Sequence, residues 1–89
     1  MLDDIRIKTI ENLGLKVKRE KNGWDILNPE AMPKTDLSKK VACIYDSGYS
    51  IDTAYRNFDE LDKQTKEQLF KILVDWSEEL FMRSRKDWE

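Results

Sequence analysis

The sequence has no histidine and only one cysteine, Cys43, among its 89 residues. Without histidine, the chain lacks the commonest general base, the usual partner of a nucleophilic serine or cysteine, and the commonest metal ligand. A single cysteine excludes an intramolecular disulfide and leaves a structural zinc site almost without ligands. We therefore expect no catalytic set, no metal and no cofactor, and we expect the protein not to be an enzyme.

Long apolar runs are also missing, and the first residues lack the basic and apolar stretches of a signal peptide. We expect a cytoplasmic protein with no membrane association. The length is sufficient for one modest core and not for two, so residues 1–89 are expected to form a single domain. Cys43 stands within an apolar stretch, where a free cysteine is usually a small buried hydrophobe.

The strongest pattern in the chain predicts a long amphipathic helix from Phe58 to Arg85. Its apolar residues recur at intervals of three and four, at Leu69, Leu73, Trp76 and Leu80. Asp59 and Asp62 are both suitable N-cap residues. The stripe is widened by four more apolar side chains: Phe70, Ile72, Val74 and Phe81. A stripe of that width indicates that the helix packs on a sheet.

A second, shorter helix is predicted at the start of the chain, from about Asp3 to Leu13. Its apolar face is formed by Leu2, Ile5, Ile10 and Leu13, with Ile7 off that face. Gly14 follows at the position where a helix end takes up a left-handed residue.

Two hairpins are predicted between the helices. Asn22-Gly23 is a preferred pair for a two-residue turn, and such a turn would pair Arg19 with Ile26. The shared face would then hold Leu15, Val17, Trp24 and Ile26. Asn28 to Lys40 is expected to be a connection, because its two prolines cannot donate to a central strand.

The second hairpin is expected between Val41 and Thr53. A three-residue loop with Gly48 in a left-handed conformation would pair Tyr45 with Tyr49 and Cys43 with Ile51. That register would place five side chains on one face: Val41, Cys43, Tyr45, Tyr49 and Ile51. The element order is then α-β-β-β-β-α, which is an α+β fold with the helices packed on a small antiparallel sheet.

Three segments carry a family resemblance: Tyr49-Ser50-Ile51-Asp52-Thr53, Asn57-Phe58-Asp59-Glu60-Leu61 and Lys66-Glu67-Gln68-Leu69. They resemble small proteins of phages and prophages of low-GC Gram-positive bacteria, over about Val41 to Trp76. These motifs are structural, and no catalytic residue is implied. The resemblance implies a host-takeover or anti-defence factor, such as an anti-CRISPR-like inhibitor, acting in the cytoplasm of the bacterial host.

Two surfaces are candidate binding sites. The first is an apolar, arginine-flanked patch at the C-terminal end, with the composition of protein interfaces, and it predicts a protein partner or a homodimer. It comprises Phe81, Met82, Arg83, Arg85 and Trp88. The alternative is a nucleic-acid-binding regulator that uses basic residues of the first hairpin and of the connection. These are Lys16, Lys18, Arg19, Lys21, Lys39 and Lys40. Alternate lysines on a strand are equally the usual protection of a sheet edge.

Overall fold

The computed structural model describes residues 2–30, 39–48 and 50–86. The helices are α1 (Leu2–Glu11), α2 (Arg56–Asp59) and α3 (Lys63–Lys86), and the strands are β1 (Lys16–Glu20), β2 (Gly23–Leu27), β3 (Lys40–Tyr45) and β4 (Ile51–Asp52). The strands form one antiparallel sheet in the order β1-β2-β3-β4. The predicted α+β fold and its order of elements are confirmed, with α2 as a short addition.

The core lies between the sheet and the two longer helices. From α3 it takes Leu69, Leu73, Trp76 and Leu80, all buried as predicted. The same cluster includes Ile10 of α1, Ile26 of β2 and Ile44 of β3. The rings of Trp24 and Trp76 lie 4.6 Å apart between centroids and are tilted by 42°. This tilted pair joins the sheet to α3 at the centre of the core.

Helix α1 ends close to its predicted position, but it buries a different face. Gly14 has φ +89, so the left-handed residue after the helix is confirmed. Ile5, expected in the core, is 62% exposed, whereas Ile7 packs against the core. The side of α1 that faces α3 also carries charged residues. The positions of the apolar residues alone were therefore not sufficient to predict which side of α1 is buried.

The first hairpin has the predicted faces but not the predicted turn. Arg19 pairs with Trp24 and Glu20 with Gly23, so the turn lies at Lys21 and Asn22. Gly23 is instead the first residue of β2. Only glycine fits there, because a Cβ atom would collide with the carbonyl oxygen of Ile44 on β3. The shift is two residues, and the side-chain faces are therefore unchanged.

The predicted register of the second hairpin is wrong by one residue. Cys43 pairs with Asp52 and Ile44 with Ile51, so Ile51 shares a face with Ile44 and not with Cys43. The sequence could not reveal this register, because residues 41–44 are buried on both faces of the sheet and show no alternation. A register shift opposite Ile26 and Leu27 also inserts Val41 as an extra residue of β3. Tyr49, expected to pair with Tyr45, lies outside the described residues.

The predicted helix from Phe58 to Arg85 is divided in two. Helix α2 ends at Asp59, and α3 begins at Lys63. The amide of Thr65 donates to Oδ2 of Asp62 at 3.2 Å, so Asp62, one of the two predicted caps, is the N-cap of α3. The break lets Phe58 turn into the core, where it is 9% exposed. No glycine or proline stands at residues 59–63 to indicate the break.

Candidate protein-binding surface

One side of α3 exposes three large apolar side chains, and we call these residues, Phe70, Val74 and Phe81, the α3 flank. They are 46%, 39% and 39% exposed. Intervals of four and seven residues place them within about 40° of one another around the helix. The sequence predicted Phe70 and Val74 against the sheet, and it placed Phe81 both in that apolar stripe and in the C-terminal patch. The sheet covers only the arc of Leu69, Leu73, Trp76 and Leu80, and the apolar stripe is wider than that arc.

A groove lies at the N-terminal end of the α3 flank. Its apolar lining comes from Phe58, Phe70 and Val74, beside Thr53, and its volume is about 490 Å³. The remaining lining residues are charged: Lys66, Glu67, Lys71 and Asp75. Lys66 is held at the groove, because its Nζ lies 6.0 Å from the Phe58 ring centroid and donates to the carbonyl oxygen of Asp59. An apolar floor with a charged rim is typical of a binding groove for apolar side chains.

The turn after β3 fixes the middle of the flank. The hydroxyl of Ser77 donates to the carbonyl oxygen of Gly48 at 2.9 Å. Gly48 has φ +67, which confirms the predicted left-handed residue. A Cβ atom at this position would collide with the backbone nitrogen of Phe81 and the carbonyl oxygen of Ser77. The backbone of this turn therefore lies directly on α3 at Ser77, Leu80 and Phe81.

The structure separates the residues of the predicted C-terminal patch. Phe81 belongs to the α3 flank, whereas Met82, 54% exposed, lies about 100° further around the helix. Arg83 turns toward α1 and donates to Asp3 and Glu79 at 3.1 and 3.0 Å. Arg85 is exposed. Trp88 lies outside the described residues.

The six basic residues of the alternative site do not form one surface. Lys18 and Arg19 are neighbours on β1 and point to opposite faces of the sheet. Lys16, Lys18 and Lys21 are exposed, and Lys39 is half-buried before β3. Three of the cations already contact carboxylates: Lys18–Glu20 at 3.7 Å, Arg19–Asp46 at 2.6 Å and Lys40–Asp25 at 3.3 Å.

Arg19 has a structural place in the sheet. Its guanidinium lies 4.2 Å from the ring centroid of Trp24 and donates from both terminal nitrogens to Asp46. The hydrogen bond to Asp46 raises the pKa of Arg19 further above its already high value. Trp24 is 9% exposed and contacts both Arg19 and Trp76, which leaves little of its ring for stacking on a nucleic-acid base.

Cys43 is buried, as expected, on the sheet face away from Ile44. Its Sγ lies 3.6 Å from the hydroxyl of Tyr45 and 3.9 Å from that of Tyr55. Burial raises the pKa of Tyr55. Burial alone would lower the pKa of Lys40, but hydrogen bonds to Tyr55 and Asp25 outweigh it and raise that pKa. These groups contact one another on the sheet face opposite the core.

Three acidic residues from the end of β4 to the start of α3 have local partners. Asp52 accepts a hydrogen bond from the amide of Ala54, Glu60 pairs with Arg56, and Asp62 caps α3. Across residues 2–30, 39–48 and 50–86, no three side chains of the ligating types come together in a way that could hold a metal ion. None of the helices in those ranges is long and apolar enough to span a membrane.

Phe70 and Val74 are the members of the α3 flank that the sequence did not place on a binding surface, whereas Phe81 belonged to the predicted C-terminal patch. A signal for the flank was present in the sequence, because Phe70, Val74 and Phe81 lie about 110° around the helix from the line of Leu69, Leu73, Trp76 and Leu80.

Comparisons with protein-family models, with curated proteins and with solved structures found no match.

Proposed function

We propose that this protein acts without catalysis, by binding another protein through the α3 flank. The observation that carries the proposal is the exposure of Phe70, Val74 and Phe81 in one row beside the groove. Exposed apolar residues scattered singly need no explanation, whereas neighbouring apolar residues in a charge-rimmed groove are typical of interaction sites. Phe70 and Val74 lie one helical turn apart and line such a groove. An amphipathic helix or a loop of a partner can bury such a row.

The flank is supported by rigid parts of the fold. Leu69, Leu73 and Leu80 anchor the adjoining side of α3 in the core. Gly48 packs against the backbone of α3 at Ser77 and Phe81. The side chains of the flank are therefore held in place before a partner arrives, which lowers the entropy that binding must overcome.

The resemblance to phage and prophage proteins gives the partner its class. On this proposal the partner is a protein of the bacterial host or of its defence systems, and this chain is a host-takeover or anti-defence factor in the host cytoplasm. A small protein without a catalytic set can inhibit by covering a surface that its target needs.

The test is an affinity capture from lysate of a Gram-positive host, with and without nuclease, read by mass spectrometry. The wild-type chain is compared with Phe70→Ser/Phe81→Ser. The matched control is Ile5→Ser, because Ile5 is more exposed than either phenylalanine and lies on α1. We expect one protein enriched by the wild type and by the control, with and without nuclease, and lost with the flank variant. Equal capture by all three chains would exclude the flank.

Nucleic-acid binding is the second candidate, and the exposure of Lys16, Lys18 and Lys21 at the sheet edge favours it. The pairing of Lys18, Arg19 and Lys40 with carboxylates weakens it. Its signature is capture that disappears with nuclease and an affinity that falls steeply with salt. Absence of any shift of labelled DNA or RNA at low salt would exclude it.

A further inference from the structure

Four exposed charged residues along one side of the α3 flank form an ordered pattern. Along this side of the helix stand Glu67, Lys71, Glu78 and Arg85, and all four are exposed. Within the described ranges of the chain none of them takes part in an ion pair. The sign of the charge alternates from the N-terminal to the C-terminal end, with the apolar residues of the flank beside it.

This pattern is complementary to itself when the helix is reversed. Glu67 and Arg85 lie about five turns apart, on the same line of the helix, and their midpoint is close to residue 76. Lys71 and Glu78 have nearly the same midpoint, and so do Phe70 and Phe81. A two-fold axis near residues 75 and 76 therefore places Glu67 opposite Arg85 and Lys71 opposite Glu78. The same axis places the two phenylalanines opposite each other.

We propose that a second copy of this chain covers the α3 flank, with its own α3 packed antiparallel on the first. In that dimer Phe70 contacts Phe81 of the second copy, Glu67 faces Arg85, and Lys71 faces Glu78, each contact occurring twice. This is an isologous interface, in which the same surface serves both partners. A foreign partner could bury the apolar row equally well, but it would not account for the symmetric order of the charges.

The area of the flank sets the strength of the dimer. Its three apolar side chains expose roughly 200–250 Å² together, whereas a standard interface covers roughly 800 Å² on each partner. The dimer is therefore weak and depends on concentration. The dimer uses the same surface as the proposed function but requires no target. The free protein dimerises, and a target that binds the α3 flank displaces the second copy.

The test uses two charge-reversed chains and sedimentation velocity. In Glu67→Lys/Glu78→Lys the row beside the flank becomes wholly basic, and in Lys71→Glu/Arg85→Glu it becomes wholly acidic. The wild type should pass from the 10.6 kDa monomer to twice that mass as its concentration rises from about 1 µM to about 1 mM. Each variant alone should dimerise at least tenfold more weakly, since like charges then face each other. An equimolar mixture of the two variants should recover the dimer.

Control variants carry the same changes of charge elsewhere on the surface. Glu11→Lys/Glu30→Lys and Lys8→Glu/Lys21→Glu alter exposed residues outside α3 and should dimerise like the wild type. Circular dichroism of every variant confirms its fold. A wild type that stays monomeric over the whole concentration range overturns the proposal, and so does a mixture that fails to recover the dimer. Either result would leave target capture by the flank unaffected, so the two proposals fail separately.

Discussion

The indole nitrogen of Trp76 donates a hydrogen bond of 3.0 Å to Oδ1 of Asp3, 73 residues earlier in the chain. Oδ2 of the same carboxylate accepts from Arg83 at 3.1 Å. Asp3 thus satisfies the polar atom of the largest fully buried side chain and joins the first turn of α1 to the last turns of α3. A second ion pair, Arg6–Glu79 at 3.1 Å, lies one helical turn further along.

Removing the Asp3 carboxylate should therefore destabilise the whole fold. We expect Asp3→Ala to lower the free energy of unfolding by about 1–3 kcal/mol, because the buried indole N–H loses its acceptor. The measurement is urea denaturation followed by tryptophan fluorescence. The control is Glu11→Ala, an exposed residue of the same helix, which should change stability by less than about 0.5 kcal/mol. Equal effects of the two substitutions would show that the Asp3–Trp76 bond contributes nothing.

The same carboxylate makes stability depend on pH. Burial raises the pKa of Asp3, but hydrogen bonds from Arg83 and Trp76 outweigh it, so the pKa lies below the usual value of 3.8. A pKa lowered in the folded state gives stability that is fully present above the unfolded pKa and is lost as the pH falls through the folded pKa. We expect the difference in urea midpoint between the wild type and Asp3→Asn to be constant from about pH 7 to about pH 5 and to shrink below about pH 4. A difference that persists unchanged at pH 2 would contradict this.

Gly48 and Gly14 allow the cost of a left-handed residue to be separated from the cost of a collision. Both have positive φ, but Gly14 has open space where a Cβ atom would stand, whereas Gly48 faces the backbone of α3. We expect Gly14→Ala to cost about 1 kcal/mol of unfolding free energy, from backbone strain alone. Gly48→Ala should cost about 3 kcal/mol or more, because α3 must move to admit the methyl group. Thermal denaturation of both variants measures the difference, and equal losses would mean that the contact of Gly48 with Ser77 and Phe81 is loose.

The thiol of Cys43 should react slowly in the folded protein. It is 5% exposed and lies beneath the hydroxyl groups of Tyr45 and Tyr55. We expect a thiol reagent to modify it at least about a hundredfold more slowly than in the urea-unfolded chain, since access requires local opening. Tyr45→Ala should accelerate the reaction by uncovering the sulfur. A native rate close to the unfolded rate would show that this face of the sheet opens freely.

Several features followed from the sequence because they depend on local chemistry. The leucine and tryptophan residues of α3 recur every three or four positions, and this spacing places them on one face of the helix whatever the helix packs against. Gly14 and Gly48 occupy left-handed positions that other residues adopt only with strain. Asp62 caps a helix because its carboxylate reaches the amide of Thr65. The candidate surface was predicted only at Phe81, since Phe70 and Val74 were assigned to the core.

Other features were decided only by tertiary structure. The buried side of α1 includes Asp3 and Arg6, which are tolerated there because α3 supplies their partners from 73 residues away. The register of β3 and β4 could not be predicted from the sequence. Strand β3 is buried on both faces and lacks the alternation of apolar and polar residues that such a prediction needs. The sequence by itself determined which residues are able to form the core, since apolar spacing and backbone preference are local properties. Tertiary structure alone decided which apolar residues remain exposed, because the width of the surface that α3 contacts is set by the sheet and not by α3.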